Sequence, residues 1–268
     1  MRTATDMNNF LKQVMAERRR DARAAQEHRP WSELERLALA PRPRHALAGS
    51  RPAAAAPCVI AELKKASPSA GCLRPDYRPA AVAAEYERAG AAAISVLTEP
   101  RHFMGSDEDL RAVREAVNLP ILRKDFISEP YQVAESAVLG ADLVLLIVAA
   151  LGPERLRVLY TLATELGLGV LVEVHSRAEL APALALEKAI IGVNSRNLVT
   201  LKTELAVARG LAQYLPPGRL CIAESGIRDH RDIGELRSLG YGGFLIGETL
   251  MRAADPGAAL RALLAPAP

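Results

Sequence analysis

Short apolar runs alternate with longer amphipathic stretches from Cys58 to the end of the chain. The runs are rich in Val, Ile, Leu and Ala, and they lie at 58–63, 92–97, 120–123, 143–148, 169–174, 190–194, 220–223 and 243–246. Nearly continuous apolar strands are typical of a parallel sheet whose faces are both covered. The pattern therefore predicts eight buried parallel strands.

Between these runs the apolar residues recur with helical spacing. Helices are predicted at 80–89, 106–116, 130–139, 153–166, 176–186, 204–214, 229–239 and 256–264. Glycines at 90, 140, 167 and 240 are placed to end helices in the left-handed conformation. Eight strand–helix units predict an α/β fold of the closed (β/α)8 type, with an open doubly wound sheet as the alternative. No G-x-G-x-x-G follows the first strand, which disfavours a dinucleotide-binding sheet.

The first 57 residues have a different pattern. A polar helix with a sparse apolar stripe is predicted over 6–28, and a second helix over 31–40 with Ser32 as its N-cap. A stretch rich in Ala and Pro follows to Pro57. This segment is either a disordered leader or a helical extension that packs on the main domain, and its amphipathic character favours the extension. We therefore divide the chain into an N-terminal helical extension and linker, 1–57, and a barrel domain, 58–268.

Composition excludes several classes of protein. Half of the 268 residues are apolar and the net charge is only +3, which excludes intrinsic disorder. The weak basic excess does not indicate a nucleic-acid partner, and the run Arg18-Arg19-Arg20 is interpreted as a solvated helix face.

The cysteines and the hydropathy pattern indicate a cellular compartment. Cys58, Cys72 and Cys221 have no C-x-x-C spacing for zinc or redox chemistry, and they suit a reducing cytosol. No apolar run approaches the ~18 residues of a transmembrane helix, and the first residues are too polar for a secretory signal. We expect a cytoplasmic protein without a membrane partner.

Polar side chains follow the predicted strands at their carboxyl ends. The segments are Glu62-Leu63-Lys64-Lys65, Arg123-Lys124-Asp125, Glu173-Val174-His175, Asn194-Ser195-Arg196, Glu224-Ser225-Gly226 and Gly247-Glu248. In a barrel these ends meet at one rim, where active sites lie. Glu62 and Lys64 are two residues apart, so both can face the barrel mouth. Such a cluster of charges is costly to desolvate, which points to a functional pocket.

Each of these residues also has a structural interpretation. Glu62 and Lys64 could form a surface ion pair, Glu173 could cap a helix, and Asn194 could satisfy loop backbone groups. His102 and His175 are interpreted as structural or exposed, and Cys72 as incidental. The functional prediction therefore depends on the joint pattern.

Two glycine-containing loops follow the seventh and eighth strands. Gly226 lies in Glu224-Ser225-Gly226-Ile227, and Gly247 lies in Leu245-Ile246-Gly247-Glu248-Thr249. Loops at these positions often bind phosphate through backbone N–H groups. The alternative is two glycine turns without a ligand.

Seven ordered blocks of the sequence resemble the indole-3-glycerol phosphate synthase family. They are Ala61-Glu62-Leu63-Lys64-Lys65-Ala66-Ser67-Pro68-Ser69, Ser95-Val96-Leu97-Thr98-Glu99 with Phe103-Met104-Gly105-Ser106, Leu122-Arg123-Lys124-Asp125-Phe126-Ile127, Leu171-Val172-Glu173-Val174-His175, Ile191-Gly192-Val193-Asn194-Ser195-Arg196-Asn197-Leu198, Ala223-Glu224-Ser225-Gly226-Ile227 and Phe244-Leu245-Ile246-Gly247-Glu248-Thr249-Leu250-Met251. The resemblance extends from about residue 6 to the C-terminus. It implies a TIM barrel with extra N-terminal helices.

The resemblance also implies a reaction of tryptophan biosynthesis. In it, 1-(2-carboxyphenylamino)-1-deoxyribulose 5-phosphate closes to indole-3-glycerol phosphate with loss of CO₂ and water, which makes the protein a carbon–carbon lyase. No metal and no organic cofactor takes part. The partner is a small phosphorylated molecule, and the extra helices suggest a monomer because they could block a barrel face.

Residue roles follow from the same resemblance. Lys124 would be the general acid at the substrate ketone, Glu173 would stabilise the cationic intermediate or act as base, and Lys64 paired with Glu62 would hold the substrate and assist dehydration. The remaining implied contacts are Asn194 for orientation, Ser225, Gly226, Gly247 and Glu248 for the phosphate, Arg196 and Ser67 as supporting residues, and Phe103 and Phe126 for the anthranilate ring. Ala70-Gly71-Cys72 departs from a turn that often carries a lysine in relatives, which puts one loop contact in doubt.

Two other functions stay open at this point. The barrel could be a phosphoribosylanthranilate isomerase or another enzyme of ribulose phosphates, although the isomerase uses a Cys/Asp pair and the first strand here offers Glu62 and Lys64. It could also be an inactive barrel with a binding role, although no charged strand-end residue is missing.

Overall fold

The N-terminal segment forms two helices that pack on the rest of the protein. The computed structural model describes residues 4–47, 57–197 and 202–265, with side chains from Phe10 onward in the first range. Helix α1 spans Ala4–His28 and α2 spans Trp31–Ala38. Val14, Leu34 and Ala38 are fully buried, so these helices form a packed extension, as their amphipathic pattern predicts. The predicted linker lies partly outside the described residues.

Eight parallel strands close into a barrel in the order β1-β10-β9-β8-β7-β6-β5-β4. The strands are β1 Cys58–Leu63, β4 Ala93–Leu97, β5 Ile121–Lys124, β6 Leu143–Ile147, β7 Gly169–Val174, β8 Ile190–Asn194, β9 Cys221–Glu224 and β10 Gly243–Ile246. The pairing of β1 with both β4 and β10 confirms the (β/α)8 prediction and excludes the open sheet.

Helices alternate with these strands. They are α3 Pro79–Ala89, α4 Asp107–Ala116, α5 Pro130–Leu139, α6 Val148–Glu165, α7 Arg177–Leu184, α8 Ala206–Ala212, α9 His230–Ser238, a short α10 Glu248–Met251 and α11 Pro256–Leu264. Gly90, Gly140, Gly167 and Gly240 have positive φ, which confirms the predicted left-handed helix ends.

The apolar core has two layers, which together leave the carboxyl ends of the strands free for polar residues. One layer lies between the strands and the surrounding helices. The other fills the barrel interior with side chains such as Ile60, Leu122 and Ile222. Toward the carboxyl ends of the strands, beyond these apolar side chains, the inward-facing positions carry charged side chains.

Some local expectations are wrong. Ser32 is not an N-cap, because helix α2 begins one residue earlier at Trp31 and Pro30 occupies the cap position. Helix α6 consists of two helical segments separated by the non-helical Gly152 (φ 70°). The predicted helix from 153 is the second segment, and the short first segment from Val148 was not predicted. A hairpin of β2 Ala66–Ser67 and β3 Gly71–Cys72 was not predicted, because two-residue strands are too short to show alternation.

The described helices were also assessed for membrane insertion. Among the residues that the structure describes, no helix combines the length and hydrophobicity that crossing a membrane requires. The three cysteines are free thiols, with Cys58 and Cys221 buried and Cys72 exposed.

Candidate active site

The carboxyl ends of the strands surround one cavity of about 740 Å³. Every residue that the sequence singled out for catalysis or binding lies on its wall: Glu62, Lys64, Ser67, Phe103, Lys124, Phe126, Glu173, Asn194, Arg196, Ser225, Gly226, Gly247 and Glu248. Because these residues come from distant parts of the chain, the closed barrel is what brings them together.

Lys124 lies between two buried carboxyl groups. Its Nζ is 3.3 Å from Glu173 Oε2 and 3.6 Å from Glu224 Oε2. Burial alone would lower the pKa of Lys124, but Glu173, Glu224 and Glu62 together raise it above its ordinary value. Lys124 therefore favours its charged ammonium form in a largely buried position, where its charge is weakly screened and acts strongly on a bound molecule.

Glu62 and Lys64 form a buried pair rather than a surface ion pair. Lys64 Nζ donates to Glu62 Oε1 at 2.6 Å, and the two side chains are only 10% and 6% exposed. Burial raises the pKa of Glu62. The positive charges of Lys64 and then Lys124 outweigh this effect and lower the pKa below its ordinary value, so the ionised form of Glu62 is favoured. The spacing of two residues on β1 places both groups on the inner face, as predicted.

Glu224, the last residue of β9, belongs to a strand-end segment that the sequence singled out, but the sequence analysis gave it no role. Burial raises the pKa of Glu224, and the negative charge of Glu173 raises it further. Glu173 has the opposite balance: burial raises its pKa, but Lys124 and His175 lower it below the ordinary value. Within this coupled pair the protonated form is therefore favoured on Glu224 and the ionised form on Glu173. Neither oxygen of Glu224 has a hydrogen-bond partner among the described residues.

A register signal could have identified Glu224. It pairs with Asn194 across β8 and β9, and it lies two residues after Ile222, which fills the barrel interior. The predicted strand ended at Ala223, one residue too early, and so left Glu224 in the loop.

Two glycines make room for the carboxylates. A Cβ at Gly192 on β8 would collide with Glu224 Oε1, and a Cβ at Gly247 would collide with Glu62 Oε1. A glycine inside or just after a strand often marks such a close approach. The sequence thus provides both the buried acids and the space that they occupy.

The two loops predicted to bind phosphate lie side by side on the cavity wall. Ser225 and Gly226 both have positive φ, 66° and 84°, which is unusual for serine and turns successive N–H groups in a similar direction. Gly247 precedes the short helix α10. The Glu248 carboxylate accepts hydrogen bonds from Arg196 and Arg252, so Glu248 can contact an anion only through its backbone N–H.

Aromatic and apolar groups form another part of the wall. Phe103 and Phe126 lie with ring centroids 6.0 Å apart. Phe10 and Leu11 of α1 also line the cavity, so the N-terminal extension contributes to the site, which its local pattern did not reveal. The loop that carries Phe103 is fixed by Glu99, whose carboxylate accepts hydrogen bonds from the backbone N–H groups of Arg101, His102 and Phe103.

The prediction of a solvated Arg18-Arg19-Arg20 face is wrong for Arg18. This guanidinium group is buried and binds Asp125 through two hydrogen bonds of 2.9 and 2.6 Å. The Asp125 side chain is fully buried and also accepts a hydrogen bond from Thr98. Asp125 is the residue between Lys124 and Phe126 in the sequence. Helix α1 is thereby attached to the strand end that carries Lys124.

The described residues include one further group of atoms suited to a metal. Carboxylate and imidazole atoms of Glu17, Glu99 and His102 lie within 4.8 Å of one another. The Glu99 oxygens are already engaged by the backbone of the loop, and His102 Nε2 lies 2.9 Å from Glu17. We therefore interpret Glu17, Glu99 and His102 as a structural hydrogen-bond network.

Comparisons with known proteins agree on one family. The family profile described as indole-3-glycerol phosphate synthase matches residues 11–263. Curated proteins of that name include those of Dechloromonas aromatica (44% identical, covering 97% of this chain and 100% of the relative) and Acidithiobacillus ferrooxidans (45%, 96% and 99%). A third, from Dehalococcoides mccartyi, is 51% identical over 77% of this chain and 81% of its own length.

Proposed function

The chain belongs to the indole-3-glycerol phosphate synthase family, and from this premise we propose how its cavity performs the family's reaction. The protein is a carboxy-lyase that closes 1-(2-carboxyphenylamino)-1-deoxyribulose 5-phosphate to indole-3-glycerol phosphate. The observation that carries the assignment is Lys124, held as a cation between two buried acids opposite two phosphate-type loops.

Lys124 serves the ring-closing step. When an aromatic carbon attacks the ketone, negative charge develops on the ketone oxygen, and a nearby ammonium group stabilises that charge and supplies a proton. The ring becomes positive at the same time, so the ionised Glu173 stabilises it. Loss of CO₂ then returns electrons to the ring.

The Glu62–Lys64 pair serves the loss of water. A leaving hydroxyl group needs a proton, and Lys64 can donate it while Glu62 keeps the ammonium group in place through their 2.6 Å hydrogen bond. Asn194 orients the reacting groups. Arg196 and Ser67 support the pocket. Each proton transfer in the proposed reaction is assigned to a side chain of the protein.

The remaining residues bind the two ends of the substrate. Backbone N–H groups at Ser225, Gly226, Gly247 and Glu248 are assigned to the phosphate. Phe103 and Phe126 are assigned to the anthranilate ring, which suits their position on the apolar part of the wall. We further assign the protein to the cytoplasm as a monomer, with 1–57 as a helical extension and 58–268 as the catalytic barrel.

The decisive experiment compares Lys124→Ala with Lys188→Ala, a change of an exposed lysine. Formation of the indole product is followed by fluorescence with the carboxyphenylamino sugar phosphate as substrate. Lys124→Ala should reduce kcat at least about 100-fold with an unchanged circular dichroism spectrum, while Lys188→Ala should retain activity.

Two outcomes would overturn the proposal. Full activity of Lys124→Ala would remove Lys124 from the mechanism. Turnover of phosphoribosylanthranilate in place of the carboxyphenylamino substrate would replace the lyase with an isomerase. Calorimetric titration with the product phosphate provides a further check, because an inactive barrel with another role would not bind it.

A further inference from the structure

His175 lies directly behind Glu173 at the end of β7. The two residues are two positions apart, so they project from the same face. His175 Nε2 is 3.3 Å from Glu173 Oε1, while the other oxygen of Glu173 faces Lys124. His175 is not among the described residues that line the cavity, and its ion pair with Glu173 connects it to the site.

The opposite edge of the imidazole ring faces a second carboxylate. His175 Nδ1 is 3.5 Å from Glu179 Oε2 on α7. Glu179 is itself fixed, because Oε2 accepts a hydrogen bond from the His175 backbone N–H at 2.9 Å and Oε1 accepts one from Ser176 Oγ at 2.8 Å. A carboxylate–imidazole–carboxylate row thus leads from the cavity to the first turn of α7.

The charged groups around His175 favour its protonated form. Burial lowers the pKa of His175, but Glu179 and then Glu173 raise it, and the more distant charge of Lys124 lowers it slightly, so that the pKa lies above the ordinary histidine value. The side chain is only 13% exposed, so solvent screens these interactions weakly.

We propose that His175 is a positioning residue: as an imidazolium group it keeps the Glu173 carboxylate ionised and holds its Oε2 toward Lys124. The inference rests on the proposed function, because it assigns His175 a role through Glu173 in that reaction. It gives the carboxylate two cationic neighbours, His175 at 3.3 Å from Oε1 and Lys124 at 3.3 Å from Oε2.

The role has a definite consequence for pH dependence. A cation beside a carboxylate lowers its pKa, typically by 1–3 units. Removal of the imidazolium charge therefore raises the pKa of Glu173, and a larger fraction of Glu173 becomes protonated at mildly acidic pH. The acid limb of the kcat profile should move to higher pH, while KM for the phosphorylated substrate changes little.

The test uses His175→Gln, which keeps a neutral donor but cannot carry charge. The matched control is His45→Gln, since His45 is also a partly buried histidine beside an acid, 3.6 Å from Asp142 at the opposite end of the barrel. We expect the midpoint of the acid limb of the kcat–pH profile to move about one pH unit higher in His175→Gln. The midpoint should not move in His45→Gln.

Nuclear magnetic resonance supplies a readout that does not depend on turnover. An ordinary histidine titrates with a midpoint of about 6.5. The ¹⁵N shifts of His175 in the wild-type protein should show that its ring stays protonated above that pH. Glu179→Gln should lower the titration midpoint of His175. A neutral His175 ring at pH 6 overturns the inference.

The outcomes separate this inference from the proposed function. If the wild-type protein does not convert the carboxyphenylamino substrate, the proposed function fails. If it does, and the acid limbs of wild type and His175→Gln coincide, the function stands and His175 is merely structural, even when kcat or Tm is lower.

Discussion

At the scale of single residues, Glu224 is a buried acid whose protonated form the fold favours. Its pKa is raised by burial and by Glu173, so between its ordinary pKa of about 4.3 and its raised value the folded protein binds a proton that the unfolded chain has lost. Stability therefore falls as pH rises through that window, by up to about 1.4 kcal/mol per pH unit. Glu224→Gln removes this dependence, so the variant should gain stability relative to wild type as the pH rises above the ordinary glutamate pKa.

Urea unfolding at several pH values measures this difference. The exposed Glu187→Gln provides the control and should follow the wild-type curve at every pH. Equal pH slopes for Glu224→Gln and wild type would mean that the fold does not raise the pKa of Glu224.

Gly192 gives a second prediction at this scale. In Gly192→Ala the new Cβ would occupy the position of Glu224 Oε1 and also press on Leu171. We expect a loss of about 1–3 kcal/mol from overpacking. We also expect a fall in kcat of about 100-fold, because a displaced Glu224 side chain moves Lys124, 3.6 Å away, out of its reacting position. Steady-state kinetics and thermal unfolding measure both effects.

Gly210→Ala is the matched control, because a Cβ at Gly210 in α8 meets nothing within 4 Å. It should raise stability by about 0.5–1 kcal/mol through helix propensity and leave kcat unchanged. Normal kcat in Gly192→Ala would show that the exact position of Glu224 does not matter.

The site residues that were predictable from the sequence are those whose position follows from strand ends. Glu62, Lys64, Lys124 and Glu173 end apolar runs, so their convergence follows once a barrel is assumed. Arg18 was placed wrongly because its solvation depends on Asp125, 107 residues away, and no local periodicity contains that contact.

At the scale of secondary-structure elements, helix α1 is attached to β5 through Arg18 and Asp125. Arg18→Ala leaves the Asp125 carboxylate, which is fully buried, without its main counter-ion, a change that typically costs about 3 kcal/mol. Because Asp125 adjoins Lys124 and Phe126, kcat/KM should fall as well. Urea unfolding and steady-state kinetics of the full-length variant test both effects.

Arg20→Ala is the control, since Arg20 is exposed on the same helix. It should change the unfolding free energy by less than about 0.5 kcal/mol. Similar losses in the two variants would mean that helix charge in general, rather than the Arg18–Asp125 contact, stabilises the extension.

Elements with long apolar runs or clear stop signals were predicted within one or two residues. Strands β1, β7, β8 and β10 have the predicted bounds, and glycine ended the helices where expected. The hairpin β2–β3 escaped because its hydrogen bonds depend on a loop path that no periodicity encodes.

At the scale of the whole molecule, a barrel with its site at one rim needs that rim open to substrate. The largest exposed apolar side chains among the described residues are Leu39, Met104, Val158, Tyr214 and Leu239. They belong to different elements or connecting loops, and Tyr214 is covered by the guanidinium group of Arg177 at 4.4 Å. A specific interface buries about 800 Å² on each partner, and such scattered side chains do not form a patch of that size.

We therefore predict a monomer. Light scattering coupled to size-exclusion chromatography should give a mass close to 28.8 kDa that is independent of protein concentration, and kcat should not depend on enzyme concentration either. A doubled mass at micromolar concentration would contradict the prediction. Because the barrel mouth must admit a phosphorylated substrate, an active dimer would have to pair through the outer helices, and Val158→Glu on α6, a half-exposed position, would then be among the changes that could dissociate it.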